Sequence, residues 1–181
     1  LPVDPKTNRK EPLLTFKRGA IVHFAMSDSS IYMSTELKGE ASFFLPFNKG
    51  NNGHAGNAQR ADGEYPVAYF WEEVCTWKNW LRLFHNFVFV QKEDKVDKFG
   101  MPYKKETLIF PRYHQMEAVN RMIEDVKANG PGQQYLNEHS AGSGKTNTIA
   151  WTAHDLIKLR SDDGKPYFNS VIIVTDRTVL D

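Results

Sequence analysis

One cysteine, Cys75, in 181 residues excludes a disulfide framework and a thiolate metal cluster. Long apolar runs are missing, since the longest uninterrupted ones are only a few residues, far short of a membrane span. No sign of charge dominates: 23 basic residues face 22 acidic ones, for a formal net charge of +1. Charge therefore neither supports nor excludes a nucleic-acid partner. The start, Leu1-Pro2-Val3-Asp4-Pro5-Lys6, has neither a signal-peptide layout nor an initiator methionine, so the chain is expected to begin inside a longer gene product. The six histidines show no ligand spacing, and there is no internal repeat. What is present is a globular balance, 40% hydrophobic and 25% charged, as expected of a cytoplasmic bacterial or archaeal enzyme with no membrane association.

The most informative stretch is Ser140-Ala141-Gly142-Ser143-Gly144-Lys145-Thr146-Asn147-Thr148. Glycines let a backbone curl until successive N–H groups converge on phosphate oxygens, and a following helix adds its positive dipole end. Ala141 to Asn147 would then cradle the phosphates of ATP. Lys145 would reach the β- and γ-phosphates, and the Thr146 hydroxyl would ligate Mg²⁺, which makes these two the catalytic candidates. The stricter pattern has a further glycine where His139 stands, so the match is to the core of the motif. The plainer alternative is a Gly/Ser-rich turn before Lys-Thr.

Along the chain, residues 1–12 read as a polar linker. Ala20 to Phe24 and Ile31 to Thr35 flank Ser27-Asp28-Ser29-Ser30 and predict a hairpin. Ala41 to Phe47 predicts a short strand, and Asn48 to Asn57 an irregular loop. Val74, Trp77, Leu81 and Phe84 recur at helical spacing and predict one apolar face within a helix from Tyr69 to about Phe84. Phe87 to Val90 reads as a buried strand. The charged run Gln91 to Glu106 contains Gly100 and Pro102 and marks a domain boundary, giving units 1–98 and 99–181. In the second unit, Met116, Val119, Met122, Ile123 and Val126 form a helical stripe that Gly130 stops. Tyr135 to Glu138 would be a strand and Thr146 to Leu159 a helix, with Ile149, Ala150, Ala153, Leu156 and Ile157 inward. Val171 to Val174 would be a second strand. Strand, loop, helix, strand is one βαβ unit, which predicts an α/β fold with a parallel sheet.

Pro111-Arg112-Tyr113-His114-Gln115 ends 30 residues before Lys145. The planar amide of Gln115 carries a donor and an acceptor, the pair that fits an adenine edge; a helix-capping glutamine is the bland alternative. After the second strand, Thr175, Arg177 and Thr178 can donate to nucleic-acid phosphates, or Thr175 and Asp176 can simply cap a helix.

At these three points the chain resembles superfamily 2 DNA motors. More narrowly, it is similar to the restriction (motor) subunit of type I restriction–modification enzymes. Ala20 to Ala25, Phe43 to Gly50 and Tyr69 to Val74 agree with the stretch that this family carries between its nuclease core and its motor. The resemblance runs from about Phe16 onward. It implies the C-terminal part of a nuclease-domain mixed sheet followed by the start of a RecA-like lobe. It further implies ATP hydrolysis with Mg²⁺, pumping and cleavage of double-stranded DNA, and work alongside modification and specificity subunits. In that family Lys145 and Thr146 would be motif I, Gln115 the adenine-reading glutamine, and Thr175 to Asp181 the DNA-tracking motif. The acidic box and arginine finger would lie beyond Asp181 and the nuclease carboxylates before Leu1, so this fragment alone is expected to be inactive. Three rivals stay open: another superfamily 2 motor such as a type III restriction or repair helicase, a different P-loop enzyme such as a nucleotide kinase, and a non-catalytic P-loop docking module.

Two further features carry weaker readings. Asp28 with Glu36-Leu37-Lys38 mimics the metal-nuclease pattern of paired carboxylates and a lysine, against a charged hairpin end. Asn48, Lys49 and Gly50 open a Gly/Asn loop that can form an anion nest and couple cutting to pumping, against an ordinary surface loop. Trp71, Trp77 and Trp80 read as helix core, and His23 as a core histidine.

Overall fold

The apolar runs around Ser27-Asp28-Ser29-Ser30 form the expected hairpin in the computed structural model, which describes residues 11–174. Strands β1 (His23–Met26) and β2 (Ile31–Ser34) pair antiparallel, Met26 opposite Ile31. The turn closes because Ser27 Oγ accepts from the amides of Ser29 and Ser30 at 3.3 and 3.1 Å. Burial alternates along β2, with Ile31 and Met33 inside and Tyr32 outside. The expected third strand shortens to β3 (Leu45–Pro46), antiparallel to β2.

The loop after β3 is self-bonded. Asn57 ties it: its Oδ1 accepts from the Lys49 amide at 2.8 Å, and its Nδ2 donates to Ser29 O and to Asn48 Oδ1, each at 2.9 Å. Asn48 Oδ1 also accepts from the Ile31 amide at 2.8 Å, which fastens the loop to β2. Asn57→Ala removes three of these bonds and is expected to destabilise this unit by about 1–3 kcal/mol, read as a lower midpoint in urea unfolding with an unchanged slope. An unmoved midpoint would show that the loop does not depend on this side chain.

The helix expected from Tyr69 to Phe84 is interrupted. A π-helical turn, Phe70–Val74, is followed by α1 (Trp77–Arg82) and a second π-helical turn, Leu83–Phe87. Thr76 is the cause: its extended backbone breaks the run, and its hydroxyl accepts from Asn79 N at 3.4 Å as an N-cap. The break resets the helical phase. Val74, Leu83 and Phe87 are buried, whereas Trp77, Leu81 and Phe84, expected inside, are 77%, 60% and 44% exposed. Trp71 is half exposed as well, so only Trp80, against Phe84 and Phe110, serves the core as expected. His23 is partly buried, and burial lowers its pKa.

The charged run that reads as a boundary folds instead as a β-hairpin, β4 (Phe89–Val96) and β5 (Pro102–Ile109). Its register explains why so polar a segment makes strands: Lys92 faces Glu106, Glu93 faces Lys105 and Asp94 faces Lys104, opposite charges at each step. The division into compact units falls after Arg112.

In the second unit, α2 (Tyr113–Asn129) buries Met116, Val119, Ile123 and Val126 of the expected stripe, while Met122, expected with them, is half-buried on a cavity wall. Gly130, at φ +75°, ends it. Helix α3 (Lys145–Lys158) packs on α2. Its buried positions are Thr148, Trp151 and Asp155, not the expected Ile149 face, and Ile149 is half exposed.

The predicted parallel sheet is corrected by the structure. Both sheets are antiparallel, β1-β2-β3 and β4-β5, and neither 135–138 nor 171–174 pairs as a strand. Hairpin strands meet through short turns, whereas a parallel pair must be closed by a long crossover and held by neighbours. A β-branched run such as Val171–Val174 announces extended backbone but not a partner. Without a paired sheet among the described residues, Ile149, Ala153 and Leu156 of α3 line an open cavity with Val171 to Val174 rather than a closed core, while Trp151 is buried.

Candidate functional site

The candidate site is the loop from His139 to Gly144 and the first turn of α3. Gly142 and Gly144 both adopt left-handed backbone, φ +71° and +82°, which bends the chain into the helix. Ser143 N donates to Ser140 O at 3.3 Å and closes the turn. Gly144 is the N-cap and offers no side chain to the helix end. The amides of Asn147 and Thr148 donate to Gly144 O at 3.1 and 3.3 Å, so the helix start is left to the amides of Lys145 and Thr146, at the positive end of the dipole.

Lys145 arches back over this loop, and its Nζ donates to the carbonyls of His139 and Ser140 at 3.0 and 3.1 Å. The ammonium thus sits where the loop opens and is held by neutral acceptors that a phosphate would outcompete, since charge-assisted bonds are roughly twice as strong. Thr146 is exposed on the first turn. Ser143 Oγ is buried without a hydrogen-bond partner, a polar atom that a bound group can satisfy. Left-handed glycines, a lysine at the loop mouth and an orphan hydroxyl fit a phosphate group. Mg²⁺ would have the Thr146 hydroxyl, while no carboxylate cluster able to hold a metal occurs among the described residues.

Gln115, at the start of α2, is buried against this loop, and its Nε2 donates to Ser143 O at 3.2 Å and Gly144 O at 2.9 Å. The amide expected to read adenine thus braces the loop before α3. Beside it His114 Nε2 lies 3.3 Å from Ser143 O, and the His114 and His139 rings meet edge to face at 5.1 Å. Sequence reading missed this pair because it joins positions 25 residues apart across the helix–loop contact. Two cavities adjoin the loop, and His139 lines both. One of about 360 Å³ runs along α3 between Lys145, Ile149 and Leu156; the other, about 610 Å³, lies along α2 between His114, Arg121 and Tyr135. Both are of small-ligand size. Tyr135 donates to Asp125 at 2.5 Å, and this bond to the carboxylate pushes its phenol up to about 12.

Residues 108–181, about two-fifths of the chain, match the family model described as "Type III restriction enzyme, res subunit". This stretch is similar to the superfamily 2 helicase-like part of restriction-enzyme motor subunits. The subtype printed is type III, where the sequence motifs resemble type I. No curated protein and no solved structure matches the chain significantly.

Thr175, Arg177 and Thr178 lie outside the described residues. Asn48, Lys49 and Gly50 sit in the first unit. There the amides of Lys49, Gly50, Asn51 and His54 all donate within the loop, so those amides are not available as a nest, and Lys49 Nζ pairs with Glu73 at 2.6 Å. Glu36 pairs with Lys38 at 2.8 Å, the bland reading of that pair. No described helix is long and apolar enough to cross a membrane.

Proposed function

We propose that the chain is part of an ATP-dependent DNA motor of a restriction system, with residues 139–146 as its nucleotide-phosphate site. The observation that carries the reading is the Gln115-braced loop with Lys145 at its mouth, inside the stretch that matches the restriction-motor family. Lys145 would exchange the His139 and Ser140 carbonyls for the β- and γ-phosphates, the amides at the start of α3 would donate to phosphate oxygens, and the Thr146 hydroxyl would hold Mg²⁺. ATP with Mg²⁺ supplies the hydrolysis that drives the motor. Thr175, Arg177 and Thr178 would hold DNA phosphates, and Lys49 would couple cutting to pumping from the first unit.

The family match favours a type III subunit, yet it spans only the motor motifs. The type I reading, with separate modification and specificity subunits, rests on Ala20 to Ala25, Phe43 to Gly50 and Tyr69 to Val74, which lie outside the matched range. Co-purification of the full gene product with its genomic neighbours separates the two.

The test of the site is calorimetric titration of ATP–Mg²⁺ into the chain. Lys145→Ala is expected to weaken binding about tenfold or more, the worth of one charge-assisted contact. Equal binding by the variant would rule out this loop as the phosphate site. In the full gene product, ATPase stimulated by long duplex DNA and lost in Lys145→Ala is the expected signature; ATPase indifferent to DNA would favour a different P-loop enzyme.

A further inference from the structure

The β4–β5 hairpin lies within the first unit, and its tip gathers cations and exposed aromatic rings. From Lys95 to Lys105 it carries four lysines against one carboxylate, Asp97. That carboxylate is engaged in the turn: its Oδ1 accepts from the amides of Phe99 and Met101 at 2.8 and 2.9 Å. Asp97 N donates to Met101 O at 2.9 Å, and Gly100, at φ +81°, completes the turn. The tip is therefore held in one shape before any partner arrives, which lowers the cost of ordering it on binding.

Acids and bases alternate across the ribbon below the turn, and the turn itself carries Lys98 with Asp97 as its one carboxylate. Glu106 pairs with Lys17 and Lys92, and Glu93 with Lys95. Lys98 and Lys104 make no ion pair among the described residues, and Lys98 lies 5.0 Å from the centre of the Phe99 ring. Between these cations stand Phe99, Met101 and Tyr103, 77%, 64% and 48% exposed. A large exposed aromatic costs free energy in water, and here two stand on one preformed turn among lysines.

We propose that this tip is a contact for single-stranded nucleic acid, with Phe99 and Tyr103 stacking on unpaired bases and Lys98 and Lys104 on the flanking phosphates. The idea builds on the DNA-motor reading for the kind of polymer it meets. Cationic phosphate contacts with interleaved aromatics are the general means of holding unpaired strands. The segment from Lys95 to Lys105 has no Arg, Asn or Gln, the residues that read base edges in a duplex groove, so the contact is indifferent to sequence. A duplex hides the base faces that Phe99 needs.

The probe is a short mixed-sequence single strand carrying a fluorophore, followed by anisotropy as the 181-residue chain is added, beside the same strand annealed to its complement. Tighter binding to the single strand is expected. Phe99→Ala should weaken it about tenfold, Lys98→Ala should reduce the slope of log K against log salt by about 0.7, and Trp77→Ala, an equally exposed ring in the same unit, should change neither. Phe99 makes no core contact to lose, so the variant stays folded. Equal or tighter binding to the duplex, or Phe99→Ala indistinguishable from the parent chain, would overturn the proposal. ATP–Mg²⁺ titrations on the same samples separate the two readings: Phe99→Ala leaves nucleotide binding intact, and a failure of Lys145→Ala to affect it sinks the motor reading without touching the hairpin.

Discussion

Gly144→Ala is expected to weaken ATP–Mg²⁺ binding by about thirty- to a hundredfold, measured by calorimetry. The first cost is backbone: Gly144 sits at φ +82° and ψ +34°, where a side chain costs roughly 1–2 kcal/mol. The second is a collision, because a Cβ there lies 2.4 Å from Gln115 Nε2. Nε2 ends a flexible side chain and can move, but moving it breaks the bonds to Ser143 O and Gly144 O, at about 0.5–1.5 kcal/mol each. The loop then relaxes from the shape that presents its amides, and affinity falls tenfold per 1.4 kcal/mol. Gly142→Ala isolates the backbone cost, since its φ of +71° is similar and no atom lies within 4 Å of its Cβ; its effect should be visibly smaller. Gln115→Ala combined with Gly144→Ala should cost less than the two singles added, because both remove the same brace. Additive losses, or wild-type affinity in Gly144→Ala, would mean that nucleotide does not use this loop geometry.

Much of this site was legible in the sequence and some was not, for reasons that differ by residue. Gly142, Gly144 and Lys145 could be named because glycine before a helix has a backbone meaning of its own. Gln115 could be named as near the loop, but not what its amide bonds to, since that depends on a contact between α2 and the loop. The same limit governs the fold. Local chemistry made the Ser27–Ser30 hairpin and the α2 stripe readable, because each is decided within a few residues. In the α1 region one N-cap, Thr76, shifts the helical phase, so a periodicity that runs unbroken through it points to the wrong face. The face of α3 and the parallel sheet failed together, since both required a partner strand that sequence pattern cannot supply. The β4–β5 hairpin was hidden by its charge, yet its opposite charges match in register only once Asp97 and Gly100 are recognised as the turn.

The first unit hangs on one ring, and Phe47→Ala is expected to remove about 3–5 kcal/mol of its stability. Phe47 is fully buried at the end of β3. Its ring meets Phe24 at 5.3 Å and Phe70 at 6.3 Å, both edge to face, and Phe110 at 6.4 Å. These partners come from β1, from the π-helical turn before α1, and from the residue after β5, so this one side chain joins elements that local pairing leaves separate. The backbone of Phe47 adds to the knot: its amide donates to Ile31 O at 2.8 Å, and its carbonyl accepts from the buried Tyr69 hydroxyl at 2.6 Å. That burial raises the pKa of Tyr69 well above its ordinary value and keeps the phenol a donor. A domain of this size is stable by roughly 5–15 kcal/mol, so the loss is a large fraction of the total, and the melting temperature should fall by more than about 10 °C. Phe43→Ala is the comparison, because Phe43 lies four residues earlier on the same segment but is 74% exposed; its effect should stay within about 0.5 kcal/mol. Tyr69→Phe keeps the ring and removes only the bond to Phe47 O, and should cost about 1–2 kcal/mol. Equal melting of Phe47→Ala and Phe43→Ala would show that the aromatic cluster is not what holds this unit together.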